Sequence, residues 1–276
     1  MFSFKGATKM QFEIYFFSGT GNSLTVAKDI ASKIDSKLIA IKDVVDKKVI
    51  NSEVEGIGII FPTYYMSMPR IVERFINKLD SIENKYIFAI ITVGGIAGDI
   101  VSKLEQAIRR KKGKLSSSFI IRMPANYIYR SNALPIFLQK RMFKKWNKKI
   151  DKIMDCIKNQ KYDIHKKFNP IMTFLFSRYI EKERSSGLFA PDIDKHFWVD
   201  NKCNLCGTCQ NICPVNNIII ENKVIKWKNN CEKCLACIQW CPQQAIQFDN
   251  DTIKRTRYHN PNVTLPEMIG SKKEPI

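Results

Sequence analysis

Eight of the nine cysteines lie in two runs that share one spacing, C-x2-C-x2-C-x3-C-P. The first run contains Cys203, Cys206, Cys209 and Cys213, and the second contains Cys231, Cys234, Cys237 and Cys241. Three thiolates with two residues between them wrap a tight loop around one cube of iron and sulfur, and the fourth corner needs a ligand from elsewhere. The spacing therefore predicts two 4Fe–4S clusters.

In runs of this type the fourth cysteine ligates the cluster of the other run. One cluster is thus predicted to bind Cys203, Cys206, Cys209 and Cys241, and the other Cys231, Cys234, Cys237 and Cys213. A zinc ribbon would use only two C-x2-C pairs, and a disulfide framework would need a secreted chain. Residues 195–250 resemble the bacterial double-cluster ferredoxins, which implies a small α+β domain built around both clusters.

The cysteine distribution also divides the chain. Outside Cys203–Cys241 the 276 residues hold only Cys156, which we expect to be a free thiol in a lysine-rich helix. A composition shift this sharp favours two domains. The first ten residues lack the apolar run of a secretory signal, and no stretch approaches 18 apolar residues. We therefore expect a cytoplasmic protein with no transmembrane segment, and exposed clusters imply an anaerobic setting.

The formal net charge of +19 favours an acidic partner, an anionic membrane surface or nucleic acid. A lysine-rich composition without a specific role explains the charge equally well. Basic residues are concentrated at 109–114 and 140–149, where Phe143 and Trp146 interrupt them. Such runs are more typical of a solvated helix face than of a nucleic-acid surface, so we do not expect nucleic acid as a partner.

An apolar run at residues 11–17 predicts a buried strand, which passes directly into the loop Ser18–Ser23. Apolar residues then recur at helical spacing as far as Ile34. A strand, a Gly/Ser/Thr loop and a helix in this order present N–H groups and hydroxyls to a phosphate at the positive end of the helix dipole. The loop lacks both the lysine of a P-loop and the glycine spacing of a dinucleotide site.

The loop resembles the phosphate loop of flavodoxins, Ser/Thr-x-Thr-Gly-x-Ser/Thr, in which neutral donors hold the phosphate of FMN. The resemblance implies that FMN binds to this loop. The residues implicated are Ser18, Gly19, Thr20, Gly21, Asn22 and Ser23. An ordinary N-capping loop is the alternative.

Further apolar segments alternate with helical patterns along the first half of the chain. They lie at 37–41, 56–61, 86–93 and 119–123, and a long amphipathic helix is predicted over 135–158. With residues 11–17 these segments predict an α/β flavodoxin-like, doubly wound, five-stranded parallel sheet. In such a sheet the ligand lies at the carboxyl ends of the strands, beside the first and third strands.

The loops after the third, fourth and fifth strands would complete the site. In flavodoxins the equivalents of the first two embrace the flavin ring, and either Tyr64 or Tyr65 could stack on it. The candidates are Pro62, Thr63, Tyr64, Tyr65, Thr92, Gly94, Gly95 and Asn126. None of the three histidines adjoins a flavin loop in sequence, so no catalytic residue is predicted.

From residue 10 to 250 the chain is similar to proteins that fuse a flavodoxin-like domain to a double-cluster ferredoxin. We expect an FMN domain at 10–160, a helical connector at 161–194, a ferredoxin domain at 195–250 and a tail at 251–276. The combination implies an electron-transfer iron–sulfur flavoprotein whose redox partner is an acidic ferredoxin or flavodoxin. Two alternatives stay open: an FMN-dependent reductase of a small-molecule acceptor, and a redox-responsive binding module with a basic face.

Overall fold

The computed structural model describes residues 10–164, 174, 178 and 193–270. The helical connector expected at 161–194 lies almost entirely outside these residues. Among the described residues, none of the helices combines the length and apolar character needed to cross a membrane.

The first half of the chain alternates strands and helices. The strands are β1 (Phe12–Phe16), β2 (Ser36–Ala40), β3 (Ile50–Asn51), β4 (Gly56–Pro62), β5 (Leu79–Asp80), β6 (Tyr86–Val93), β7 (Leu115–Arg122) and β8 (Asp163–Ile164). The helices are α1 (Asn22–Ala31), α2 (Ile41–Val44), α3 (Arg70–Lys78), α4 (Ile100–Arg110) and α5 (Ile136–Lys158).

The main sheet has the order β2-β1-β4-β6-β7-β8, and every neighbouring pair is parallel. All eight residues of β6 and six of the seven in β4 are buried, because helices cover both faces of the sheet. Strands β3 and β5 form a separate two-residue parallel pair. The predicted doubly wound flavodoxin-like sheet is confirmed, with the two-residue strand β8 added at its edge.

Strand β7 begins four residues before its predicted start, at Leu115 instead of Phe119. Its opening residues Ser116, Ser117 and Ser118 are polar in sequence but buried in the sheet. The Ser116 hydroxyl accepts a hydrogen bond from the N–H of Ile87, and the Ser117 hydroxyl pairs with that of Tyr86 at 3.0 Å. These hydrogen bonds allow the buried hydroxyls to replace apolar side chains.

The cysteine-rich half is built from short elements. They are a 3₁₀ turn (Ile193–His196), β9 (Phe197–Val199), α6 (Thr208–Ile212), β10 (Ile218–Glu221), β11 (Val224–Trp227), α7 (Ala236–Gln239), β12 (Ile246–Phe248) and α8 (Leu265–Ile269). Strands β10 and β11 form one antiparallel pair, and β9 and β12 form another. These small antiparallel sheets agree with the α+β domain expected for this region.

The two cysteine runs have the same backbone conformation at equivalent positions, which are 28 residues apart in the chain. Leu205 and Lys233 are both left-handed, with φ of 59° and 58°. Asn216 and Gln244, three residues beyond the fourth cysteine of each run, are also left-handed, with φ of 51° and 49°. Repetition of a conformation that non-glycine residues rarely adopt indicates that each run is shaped to hold the same kind of group.

The two halves pack together through the second cysteine run. The indole N–H of Trp240 donates to the carbonyl of Gly19 at 3.1 Å, and the Gln239 side chain donates to the carbonyl of Asn126 at 3.0 Å. The buried Glu232 carboxylate accepts a hydrogen bond from the N–H of Ile71, in the first turn of α3. This carboxylate therefore caps a flavodoxin-side helix, although burial raises its pKa to about 7.

Residues 251–263, which we call the C-terminal strap, return from the cysteine-rich half to the loop after β1. The Tyr258 hydroxyl donates to Asn22 Oδ1 at 2.6 Å, and the Asn260 N–H donates to the carbonyl of Thr20 at 2.8 Å. Helix α8 follows with a capping box between Thr264 and Glu267, and Glu267 forms an ion pair with Lys28 of α1. The expected tail is thus packed against the first half as far as residue 270.

Substitution of Gly19 tests the contact between the halves. A Cβ at Gly19 would lie 2.4 Å from the carbonyl oxygen of Cys234 and 2.7 Å from the hydroxyl of Tyr64. Gly19→Ala should therefore lower stability by about 1–3 kcal/mol, the usual cost of overpacking. Gly95→Ala is the matched control, because a Cβ there meets nothing within 4 Å. Thermal unfolding followed by near-UV circular dichroism would measure both, and equal midpoints would contradict the tight contact.

Candidate functional site

Two adjoining cavities lie at the carboxyl edge of the main sheet. The first, which we call the loop cavity, follows the loop after β1 and the ends of β4, β6 and β7. It is lined by Ser18, Gly19, Thr20, Asn22, Ser23, Pro62, Thr63, Tyr64, Thr92, Val93, Gly94, Met123, Pro124, Ala125 and Asn126.

The second, which we call the apolar cavity, has a volume of about 310 Å³. It is lined by Thr63, Tyr64, Tyr65, Met66, Gly94, Gly95, Ile96, Ala125, Asn126, Tyr127, Lys233 and Leu235. The two cavities share five lining residues and so form one continuous site. A polar cradle joined to an apolar slot matches a ligand with a phosphate at one end and a flat ring at the other.

Hydrogen bonds within the loop at Ser18–Ser23 and to neighbouring strand ends hold it in a shape that suits a phosphate. Gly21 has φ of 90°, which suits glycine, and its N–H donates to the Ser18 hydroxyl at 3.0 Å. Helix α1 begins at the next residue, so its first N–H groups face the cradle. The hydroxyls of Ser23 and Thr92 pair at 2.8 Å, and Asn126 donates to the Thr20 hydroxyl at 3.2 Å.

Asn22 braces this loop through all the hydrogen bonds of its side chain. Its Nδ2 donates to the carbonyl of Pro124 at 3.0 Å, while its Oδ1 accepts from Tyr258 and Asn260. The Asn22 carboxamide therefore positions the loop, and one Nδ2 hydrogen and the backbone N–H of Asn22 are left as donors for a phosphate. The two residues of the C-terminal strap that hold it lie more than 230 positions away, so no local pattern in the sequence indicates this role.

The structure brings together thirteen of the fourteen predicted flavin residues as lining of the two cavities. The exception, Gly21, lies behind the loop, where a Cβ would meet Asn260 and Val263. Tyr64 and Tyr65 both line the apolar cavity; the Tyr64 ring packs edge-on against Phe17, and the Tyr65 ring packs edge-on against Tyr127.

Sequence reasoning missed the residues of the cysteine-rich half that reach this site. Lys233 and Leu235 flank Cys234 in the second run, and both line the apolar cavity. Their backbones are left-handed, with φ of 58° and 61°. The direction of a side chain in a cysteine loop depends on such local backbone geometry. The spacing of the cysteines alone therefore could not show that the second run faces the apolar cavity.

The eight run cysteines are grouped around two further cavities. Cys203, Cys206, Cys209 and Cys241 line one of them, whereas Cys213, Cys231, Cys234 and Cys237 line the other. The fourth cysteine of each run thus lies with the first three of the other. In the described part of the chain, no three metal-binding side chains converge as they would on a single ion. Thiols spread around a cavity fit a multinuclear cluster better than one zinc ion.

The surroundings of the cysteines also fit a cluster. Backbone N–H groups donate to their sulfurs, from Asn217 to Cys213 at 3.2 Å and from Ala245 to Cys241 at 3.3 Å. Burial raises the pKa of the Cys209 and Cys231 thiols to about 12, so these thiols would be protonated without a metal. Coordination to iron would keep them deprotonated.

Several buried donors near these thiols have no protein partner. They are the hydroxyls of Tyr64 and Tyr129 and the Nε of Arg257. Burial raises the pKa of both tyrosines, and nearby cysteines of the second run raise it further. A buried donor without a partner lowers the stability of the fold. Atoms of a bound cofactor would supply partners for these three groups.

The two cysteine cavities differ in exposure. Cys206 is exposed and Cys203 is half-buried, whereas Cys234 is 8% exposed and lies against Gly19 of the loop cavity. We call the cavity at Cys203, Cys206, Cys209 and Cys241 the outer cysteine cavity, and the other the inner cysteine cavity. Only the inner one adjoins the apolar cavity through Lys233 and Leu235.

Comparison with known families agrees with this division. Residues 13–124 match the flavodoxin domain, and residues 196–219 match the 4Fe-4S binding domain. A flavodoxin domain implies FMN, and a 4Fe-4S binding domain implies an iron–sulfur cluster. The second match contains the first cysteine run and ends before the second.

Solved structures similar to the chain match its flavodoxin half. A flavodoxin from the domain Archaea is 20% identical; the match covers 41% of this chain and 83% of that one, with a TM-score of 0.32. The two-electron reduced flavodoxin of Megasphaera elsdenii is 20% identical, with coverages of 40% and 84% and a TM-score of 0.30. A flavoprotein from Bacteroides uniformis is 17% identical, with coverages of 41% and 90% and a TM-score of 0.32. No curated protein sequence matches the chain.

Substitution of Thr20 tests the phosphate cradle. Thr20→Val removes a hydroxyl that lines the loop cavity and should weaken FMN binding about ten-fold to a hundred-fold, as expected for a hydrogen bond to a charged group. Thr25→Val is the matched control, because the Thr25 hydroxyl is buried in α1 and does not line the cavity. Quenching of flavin fluorescence on titration of flavin-free protein measures the affinity. Equal affinities for the two variants would place the phosphate elsewhere.

Proposed function

We propose that this chain, a fusion of a flavodoxin domain with a 4Fe–4S binding domain, passes electrons between two 4Fe–4S clusters and a bound FMN within one molecule. A 4Fe–4S cluster exchanges single electrons, whereas FMN can hold one or two. The chain would thus exchange electrons singly at its iron–sulfur end and in ones or pairs at its flavin end. We further propose that it works in the cytoplasm as an oxidoreductase component under anaerobic conditions.

One observation carries the proposal: the second cysteine run forms part of the wall of the apolar cavity. Lys233 and Leu235 line that cavity, and Cys234 between them lines the inner cysteine cavity. The residues that would hold a flavin ring and those that would hold a cluster are therefore adjacent in the chain. This arrangement favours transfer within the molecule, because the fusion replaces a chance encounter with a fixed contact.

The assignment of ligands follows the cavities. The outer cluster would be held by Cys203, Cys206, Cys209 and Cys241, and the inner cluster by Cys213, Cys231, Cys234 and Cys237. The order from the surface inward would be outer cluster, inner cluster and FMN, or the reverse for electrons leaving the flavin. Which cluster lies nearest the flavin could not be argued from the cysteine spacing, and the place of Lys233 and Leu235 supports the inner one.

The chain's own residues would orient and protect this site. The loop at Ser18–Ser23 would hold the phosphate with neutral hydroxyls and N–H groups, and Asn22 keeps that loop in shape. The apolar cavity would exclude water from the ring, since tyrosine, methionine and leucine side chains form much of its wall. The hydroxyls of Tyr64 and Tyr129 are placed to donate to cofactor atoms beside them.

Cysteine substitutions in pairs test both the number of clusters and the crossed ligands. The Cys156→Ser control should hold about eight iron atoms, four in each cluster. Cys206→Ala/Cys241→Ala removes two ligands of the outer cluster and should retain about half of the iron. Cys206→Ala/Cys213→Ala removes one ligand of each cluster and should lose nearly all of it. Iron analysis of anaerobically purified protein gives the counts, and the opposite ranking of the two double variants would refute the crossed assignment.

Rapid reduction tests the transfer within one molecule. When a pulse of reductant reduces the clusters anaerobically, flavin absorbance should fall in a first-order phase whose rate does not change with protein concentration. Cys206→Ala/Cys241→Ala, which keeps the inner cluster, should retain this phase if the inner cluster is the direct neighbour of the flavin. A rate that scales with protein concentration would show that transfer occurs only between molecules, and the proposal would fail.

A further inference from the structure

A large polar groove opens beside the outer cysteine cavity and shares no lining residue with the loop cavity or the apolar cavity. It has a volume of about 860 Å³ and lies between the second cysteine run, the C-terminal strap and the start of α8. We call it the basic groove, after Lys254, Arg255, Arg257 and His259 in its lining. Among the described residues that line it there is no aspartate or glutamate.

The groove gives access to the outer cluster from the surface. Cys241 and Pro242 are part of its lining, and Cys241 also lines the outer cysteine cavity. The inner cysteine cavity is instead turned toward the apolar cavity and the flavin half. An external electron carrier bound in the groove would therefore lie next to the cluster that is farther from the flavin.

Two side chains of the groove, Arg257 and His259, are held in place by their neighbours. Arg257 donates from Nη2 to the carbonyl of Ile246 and to Gln247 Oε1, both at 3.0 Å, so its guanidinium is fixed before a partner arrives. The His259 ring stacks on Trp240 at 4.3 Å between ring centroids. Lys254 is exposed at the edge of the groove, beside Ile253, whose side chain is 46% exposed.

This combination fits a protein surface better than a small ligand. Positive side chains around an exposed apolar residue are typical of the rim and centre of a transient protein interface. A net charge of +19 would attract an acidic protein from a distance, and charges near the contact would orient it. The groove is also much larger than the apolar cavity, at 860 Å³ against 310 Å³.

We propose that the basic groove is the docking site of an acidic one-electron carrier protein, which exchanges electrons with the outer cluster next to Cys241. One electron leaves the reduced carrier and reduces the oxidised cluster, or moves the opposite way; no bond forms or breaks. The inference rests on the proposed electron-transfer function, since it needs the outer cluster. It adds the chemical class of the partner and the surface that binds it.

Charge reversal tests the docking site. Lys254→Glu/Arg255→Glu changes two groove residues, and Lys47→Glu/Lys48→Glu is a matched control on the loop after α2, at exposed positions that do not line the groove. The probe is a reduced acidic two-cluster ferredoxin mixed anaerobically with the holo-protein in a stopped-flow instrument. At low salt the groove variant should show an association rate constant about ten-fold or more below that of the wild type, with a weaker dependence on ionic strength. The control should change less than three-fold.

Two further measurements separate this proposal from the proposed function. Reduction of the groove variant by dithionite should proceed at the wild-type rate, because a small reductant does not need the docking surface. The first-order fall in flavin absorbance after cluster reduction should also be unchanged. An equal fall of the association rate constant in both charge variants, or no fall in the groove variant, would refute the docking site. Neither result would contradict electron transfer within the molecule. Loss of the first-order flavin phase in the wild type would instead remove the proposed function.

Discussion

The structure depends on the close approach of two loops from different halves of the chain. The phosphate-type loop after β1 meets the second cysteine run at Gly19, where the Cys234 carbonyl and the Tyr64 hydroxyl leave no room for a Cβ. The Trp240 indole donates to the carbonyl of the same glycine. Because this one residue carries contacts to both a flavin-side tyrosine and a cysteine run, the distance between the two predicted cofactor sites is fixed by the backbone itself.

The close packing of the two halves also explains why several buried polar groups of one half form hydrogen bonds with the other half. Glu232 caps α3, Gln239 bonds to Asn126, and Tyr258 bonds to Asn22. Each of these side chains comes from the cysteine-rich half or the strap and satisfies a buried group in the flavodoxin half. A buried polar group left without a partner would cost more than the bond itself contributes, so these contacts specify one arrangement of the halves.

Much of the fold and of the cofactor chemistry could be predicted from local patterns. The apolar runs of β1, β4 and β6 are continuous because both faces of the sheet are covered, and the cysteine spacing reflects the shape of a cube of iron and sulfur. Local signals failed where burial is polar or contacts are distant. The first four residues of β7 were not predicted as strand, because three of them are serines. The hydroxyls of Ser116 and Ser117 form hydrogen bonds with Ile87 and Tyr86 of the neighbouring strand.

The residues of the candidate site also fall into a group that local patterns predict and a group that they do not. The loops at the strand ends were predictable, since the carboxyl ends of parallel strands meet at one edge. The roles of Lys233, Leu235 and the strap were not, because they follow from how the two halves pack and leave no periodicity or motif in the sequence. Asn22 shows the limit most clearly: its position in the loop suggested a contact to the ligand, whereas its side chain is bonded to two other segments, the loop after β7 and the C-terminal strap.

The C-terminal strap has a consequence for how the protein is made. Asn260 follows its partner Asn22 by 238 positions, so a ribosome must add all of these residues before this bond can form. The loop at Ser18–Ser23 therefore remains incompletely braced until the C-terminal strap has been made, and by then both cysteine runs have already been synthesised. Synthesis of such a chain has a built-in order: iron–sulfur assembly can begin on the nascent chain, and full bracing of the loop at Ser18–Ser23 waits for the C-terminal strap.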